Sequence, residues 1–175
     1  IMTFDNTSVL KSKLRWNSIA KPLGGLGLLE DMVSKIAGIQ RTEDVSITHR
    51  TAVIMCADNG VVSEGVSQSD SRVTAQVAKE IAAGRSSVNM LANQFSIDSD
   101  IYCSNIINKK IAYGTRSIVK GPAMDPSQAR KAISNGIEIV YDLCRNGTDI
   151  IITGEMGIGN TTTSAAIASL ILGIP

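Results

Sequence analysis

A glutamate, Glu155, stands between an apolar run and a turn of small residues in DIIITGEMGIGNTTTSAAIASLI, residues 149–171. Gly154, Gly157 and Gly159 let the backbone approach a ligand closely and adopt positive φ. A helix that starts at Thr161 would present unpaired N–H groups and a partial positive charge, which is phosphate-binding chemistry. Thr161, Thr162 and Thr163 add hydroxyl donors. A carboxylate set directly beside a phosphate would repel it, so Glu155 should face something else, a ribose hydroxyl or a nitrogen base. The common nucleotide loops do not fit. Gly157-Ile158-Gly159-Asn160-Thr161-Thr162 lacks the third glycine of GxGxxG, and no lysine follows as a P-loop requires. The alternative is an ordinary tight strand-to-helix turn with a threonine cap. A second acid, Asp58, ends the apolar run TAVIMCAD and is followed by Asn59 and Gly60.

These residues need elements to position them. Residues 51–58 and 149–155 read as strands buried on both faces. The polar loop NGVVSEGVSQSDSR, residues 59–72, follows the first strand. Loops of that length in a compact domain are often functional. Residues 73–83 read as a helix with Val73, Val77 and Ile81 on one stripe. Ser86 or Ser87 is placed to cap a helix through Leu91. Residues 96–124 give no clear pattern. Asp125 is placed to cap a helix with Pro126 at its first position, and Asn146-Gly147 to end it. Ala129, Ala132, Ile133, Ile137, Val140, Tyr141 and Cys144 form its expected apolar face. Residues 161–172 continue as a helix. Upstream, residues 8–20 form a helix with Ser8 as cap and Val9, Leu10, Leu14 and Ile19 near one face. A Pro22-glycine turn then leads to a helix over 26–39. The expected organisation is a helical segment at 1–45 and an α/β core at 46–175. Strands alternating with helices predict a layered α/β fold with a mainly parallel sheet. Ligands bind such sheets beyond the carboxyl ends of the strands, where Asp58 and Glu155 lie.

Composition narrows the function classes. The 175 residues carry a formal net charge of +1 with no basic arm, which gives nucleic acid and anionic membrane nothing to hold. Aromatics make up only 3%, so few bases could be stacked. The apolar run at 165–174 is too short to span a bilayer, and the polar N-terminal stretch is no signal core. The expected compartment is the cytoplasm. Cys56, Cys103 and Cys144 are widely spaced, and His49 is the single histidine, so neither a disulfide framework nor a metal site is expected. Each cysteine has apolar neighbours and reads as a small core hydrophobe.

Four segments in one order carry a resemblance: IAKPLGGLGLLED (19–31), AVIMCADNGVVSEGVSQSDSRVTAQVAKEIAAG (52–84), INKKIAYGTRSIVKGPAM (107–124) and TGEMGIGNTTTSAA (153–166). The chain resembles the nicotinate-nucleotide:dimethylbenzimidazole phosphoribosyltransferase family over most of its length. The resemblance implies a Rossmann-like parallel sheet layered with helices, incomplete relative to the family, and a homodimer that uses no cofactor. It implies transfer of the phosphoribosyl group of nicotinate mononucleotide to 5,6-dimethylbenzimidazole, giving α-ribazole 5′-phosphate and nicotinate for the lower ligand of cobalamin. By position, Gln76 corresponds to the glutamine lining the benzimidazole pocket, where a side chain that both donates and accepts suits an azole edge. Gly154, Glu155 and the turn Gly157, Gly159, Asn160 and Thr161 match the nucleotide-contacting segment, with Met156 and Ile158 as apolar walls. Asp58 joins the substrate-binding set, with a purely structural hydrogen-bonding role as its alternative, and Ser69 and Ser67, in the loop before Gln76, are weaker candidates. Lys21-Pro22 is a turn that helps to shape the assembled site.

The chain departs from the family in three ways. Asn59 stands where the family often has His, and Leu23-Gly24-Gly25 where it has Pro-Gly-Ser. A strand between residues 97 and 108 looks shortened. The family's second half, which carries the usual general-base glutamate and further phosphate-binding glycines, has no counterpart here. Glu155 is the catalytic candidate that remains, without inheriting that base's role. The expectation is an N-terminal part of the enzyme with little transferase activity alone. A non-catalytic nucleotide- or benzimidazole-binding module and a structural subunit stay open as alternatives.

Overall fold

A computed structural model of the chain describes residues 3–95 and 107–174. The shortened strand expected near 97–108 falls largely outside the described residues, as does Cys103. The chain divides into two compact units, Ile1–Ile47 and Thr48–Pro175.

The first unit is a pair of helices, α1 (Asn6–Ser18) and α2 (Leu28–Gln40). Asp5, not Ser8, caps α1: its carboxylate accepts from the Thr7 and Ser8 N–H groups at 3.1 and 3.2 Å. Asp5 lies in extended backbone, and its acid charge favours the helix N-terminus. The seam between the helices is made of small residues. Ser8, Ser12, Ser34 and Ala37 are buried, and the Ser12 and Ser34 hydroxyls lie 3.2 Å apart. A Cβ on Gly38 would stand 2.7 Å from Phe4 and Val9, so the helices close on a glycine. The expected face of Leu10, Leu14 and Ile19 is exposed instead. Small side chains allow the closest helix approach, and the seam forms along them rather than along the leucines.

In the second unit β1 (Arg50–Cys56) pairs in parallel with β2 (Ile150–Met156), from Arg50 opposite Ile150 to Cys56 opposite Met156. Between them run a 3-10 turn (Gly60–Glu64), α3 (Arg72–Ala82), α4 (Ser87–Gln94) and α5 (Pro126–Arg145); α6 (Asn160–Leu172) comes after β2. Ser86 is the cap of α4. Asp125 and Gln128 form a capping box on α5, with the Asp125 N–H donating to Gln128 Oε1 at 2.8 Å and Pro126 in the first turn. The core is Val53 with Ile139 and Leu143 of α5, and Ile151 packs against it.

Three expectations need correction. The face expected to bury α5 is the outer one: Ile133, Ile137, Val140, Tyr141 and Cys144 are exposed, and Ile139 and Leu143 are buried. The helix is apolar on two sides, and periodicity alone does not say which side the sheet covers. β2 is not buried on both faces, since Ile152 and Thr153 are exposed and the sheet has two strands among the described residues. Cys56 and Cys144 are exposed rather than core.

Candidate functional site

The register of the two strands brings their carboxyl ends side by side. Met55 lies opposite Glu155 and Cys56 opposite Met156, and the pairing extends one step further as the Ala57 N–H donates to the Met156 carbonyl at 3.1 Å. The segments 57–60 and 157–160 therefore leave the sheet together. Gly157 is required by this contact. It is buried, and a Cβ there would strike the Ala57 carbonyl oxygen and stand 2.7 Å from Asn59 Nδ2. Gly159 has φ +82 and caps α6 without a side chain, and a Cβ there would stand 2.9 Å from Val62.

Side chains from two other segments hold the turn. The Ile158 N–H donates to the hydroxyl of buried Thr74 at 3.1 Å, and Asn59 Nδ2 donates to the Ile158 carbonyl at 3.1 Å. The Thr163 hydroxyl lies 3.3 Å from Asn59 Oδ1 and 3.0 Å from the Asn160 carbonyl. The Asn160 N–H is spent on the Gly157 carbonyl, and the Thr161 and Thr162 N–H groups are left without a backbone acceptor. The side chain of Asn160 donates to the carboxylate of Glu155, which is exposed above the turn.

The loop after β1 is anchored from its other side. Thr115 N–H donates to the Asp58 carbonyl at 3.0 Å, and the Gly60 N–H donates to Thr115 Oγ1 at 3.1 Å. Gly60 lies tightly on this segment, since a Cβ there would stand 2.7 Å from the Ser117 nitrogen. Lys120, 2.8 Å from Glu64, holds that carboxylate below its ordinary range. A groove of about 650 Å³ runs along β1, α3 and residues 107–115, with Asp58, Ala75, Ala78 and Tyr113 in its wall.

The expected site residues thus fall into two groups. Glu155, Met156, Gly157, Ile158, Gly159, Asn160 and Thr161 form one continuous turn, and Gly154 and Asp58 sit at the strand ends beside it. Gln76 and Ser69 hydrogen-bond to none of them. Gln76 is exposed on α3 and donates to Glu80 at 3.0 Å, a carboxylate also held by Arg85. The Ser69 N–H donates to the Ser67 hydroxyl at 3.2 Å. Sequence reasoning missed Thr74 and Thr115. A signal existed for Thr74, which lies four residues before Ala78 and seven before buried Ile81. That is the inward stripe of α3, whereas Val73 of the expected stripe is exposed. Among the described residues no His, Cys, Asp or Glu cluster converges as metal ligands would, and no helix is long and apolar enough to cross a membrane.

The chain is similar to known proteins. A family model, DBI_PRT, described as Phosphoribosyltransferase, matches residues 1–175. The nicotinate-nucleotide--dimethylbenzimidazole phosphoribosyltransferase of Ruminiclostridium cellulolyticum is 45% identical over 172 residues, covering 93% of this chain and 49% of that protein. The protein of the same name from Clostridium acetobutylicum is 42% identical over 180 residues, covering 98% of this chain and 51% of its own. A crystal structure of the Thermus thermophilus phosphoribosyltransferase of that name superposes with a TM-score of 0.88 at 30% identity, covering 98% of this chain and 55% of that one. The chain spans about half the length of the curated relatives it matches.

Proposed function

Because the chain belongs to the phosphoribosyltransferase family whose model spans it, we propose that the protein carrying it moves a phosphoribosyl group from nicotinate mononucleotide to 5,6-dimethylbenzimidazole. The products are α-ribazole 5′-phosphate and nicotinate, for the lower ligand of cobalamin, and the working form is a homodimer. An azole nitrogen attacks the anomeric carbon from the face opposite nicotinate. The glycosidic C–N bond breaks, and its electron pair returns to the pyridine nitrogen, so the departing nicotinate ring loses its positive charge. The azole N–H proton passes to a general base.

One observation supports this reading above the rest. The turn after β2 is fixed by side chains from the β1 loop and α3, yet the N–H groups of Thr161 and Thr162 stay open. A fixed backbone with open donors at a helix start suits the phosphate of a mononucleotide. In this reading Glu155, steadied by Asn160, faces the ribose and stabilises the positive charge that grows at the anomeric carbon. Met156 and Ile158 wall the flat rings. Gln76 commits its amide N–H to Glu80, leaving its carbonyl oxygen to accept an azole N–H. Asp58, Gly154 and Ser69 complete the substrate-binding set.

The test is an assay of the intact protein that carries this sequence, with both substrates, following nicotinate release and α-ribazole phosphate by chromatography. Stoichiometric formation of both products is expected. Nucleotide binding without product would leave a binding module in place of an enzyme.

A further inference from the structure

Resting on the reading of the β2 turn as the nucleotide's phosphate site, we propose that Asn59 and Thr74 are positioning residues that set the direction of its backbone donors. Ile158 has glycines on both sides, and each glycine is a free rotor unless something holds the peptide groups next to it. The two anchors act on different peptide units. Thr74 accepts from the Ile158 N–H, which fixes the peptide between Gly157 and Ile158. Asn59 donates to the Ile158 carbonyl, which fixes the peptide between Ile158 and Gly159. Together they hold both soft torsions of Ile158, and through Gly159 they set where α6 begins.

The anchors are suited to this task. Thr74 is 4% exposed, so water cannot take its place as acceptor. Asn59 is bound at both ends of its amide, with Oδ1 facing the Thr163 hydroxyl at 3.3 Å in the first turn of α6. One side chain thus ties the turn to the helix whose N–H groups face the phosphate. A turn fixed in advance loses less freedom when the nucleotide binds.

The test uses the intact protein that carries this sequence and three variants: Asn59→Asp, Thr74→Val and Thr74→Ser. Asn59→Asp keeps the shape but sets an acceptor against the Ile158 carbonyl, and Thr74→Ser keeps the hydroxyl. Calorimetric titration should show nicotinate mononucleotide binding weakened by about 10-fold or more in Asn59→Asp and Thr74→Val, the scale of one lost buried hydrogen bond. Dimethylbenzimidazole, which meets this turn only through the side chains of Met156 and Ile158, should lose far less affinity than the nucleotide in both, and Thr74→Ser should restore nucleotide affinity. If Thr74→Val does not fold, Asn59→Asp decides alone. Folded variants that bind the nucleotide like the unmutated protein overturn the proposal and leave the functional reading intact. Equal weakening of both ligands, tracking a lower melting temperature, also overturns it, since that is a structural role. An unmutated protein that binds no nucleotide overturns the functional reading itself, and this proposal with it.

Discussion

The chain starts a helix from a Gly-x-Gly turn twice, and the two helix starts differ in the residues of their first turns. Gly27 caps α2 at φ 56 and Gly159 caps α6 at φ 82, neither with a side-chain hydrogen bond. The first turn of α2 carries Glu30 and Asp31, and Glu30 reaches back to accept the Leu26 N–H at 3.0 Å. Its other partner is Lys21 at 2.8 Å, and both side chains are nearly buried. The Leu29 and Glu30 N–H groups of that first turn donate to the Leu26 and Gly27 carbonyls at 3.2 and 3.1 Å, so the α2 start satisfies itself. The first turn of α6 has no acid, and its open N–H groups have no such guest. A glycine turn is therefore not a site on its own. The residues just after it decide whether the helix end is closed from within or left for an anion.

The glycines themselves should separate the two starts most strongly. Gly157→Ala would drive a methyl group into the Ala57 carbonyl and Asn59, whose positions are held by the Ala57 N–H on the Met156 carbonyl and by Asn59 Nδ2 on the Ile158 carbonyl. A loss of about 3 kcal/mol or more is expected, with nucleotide binding abolished. Gly27→Ala meets no atom within 4 Å and suffers only its positive φ, so about 1–2 kcal/mol is expected. Denaturant titration of both variants measures the difference. Equal losses would mean that the β2 turn is no more constrained than the one before α2.

A second substitution makes the α6 start resemble that of α2. Thr161→Asp places an acid in the first turn of α6, as α2 already has. The helix should gain a few tenths of a kcal/mol from its dipole. Nicotinate mononucleotide affinity should fall about 5-fold, the like-charge cost of roughly 1 kcal/mol at an exposed helix start. Calorimetry with the nucleotide, beside a thermal melt, separates the two effects. Unchanged affinity would place the phosphate away from this helix start.

Local chemistry in the sequence marked these helix starts well, because caps and turns are decided within a few residues. Asp125-Pro126, Ser86 and Gly159 stand where their types predict, whereas Gly154 and Gly157 do not take the positive φ expected of them. Burial was less legible. Ile133 and Ile137 are as apolar as Ile139, but only Ile139 faces the two-stranded sheet, and α6 buries none of its residues. Apolar spacing reports what a face can do, and tertiary contacts decide which face is covered. The anchors of the site were hardest to see. Asn59 and Thr74 act across 99 and 84 residues, a distance at which sequence spacing carries no information. Their polarity at an inward position was the only trace.

The weakest contrast between the two starts lies in the pH dependence of the closed one. The hydrogen bond from Lys21, then that from the Leu26 N–H, holds Glu30 below its ordinary value of 4.5. A carboxylate with a depressed folded pKa adds stability in full above 4.5 and loses it as pH falls through the depressed value. Lys21→Met should remove most of that contribution, together with the ammonium 5.6 Å from the Trp16 ring. The ring contact does not titrate in acid, so it contributes a constant offset. Thermal melts of the two proteins from neutral pH downward should therefore show a gap that is constant above 4.5 and narrows below it to the offset. A gap that does not change with pH would mean that Glu30 does not depend on Lys21 for its charge. In that case Glu30 is held by the Leu26 N–H without the ammonium, and the contrast with α6 rests on the position of one carboxylate and the backbone bonds of the first turn rather than on an ion pair.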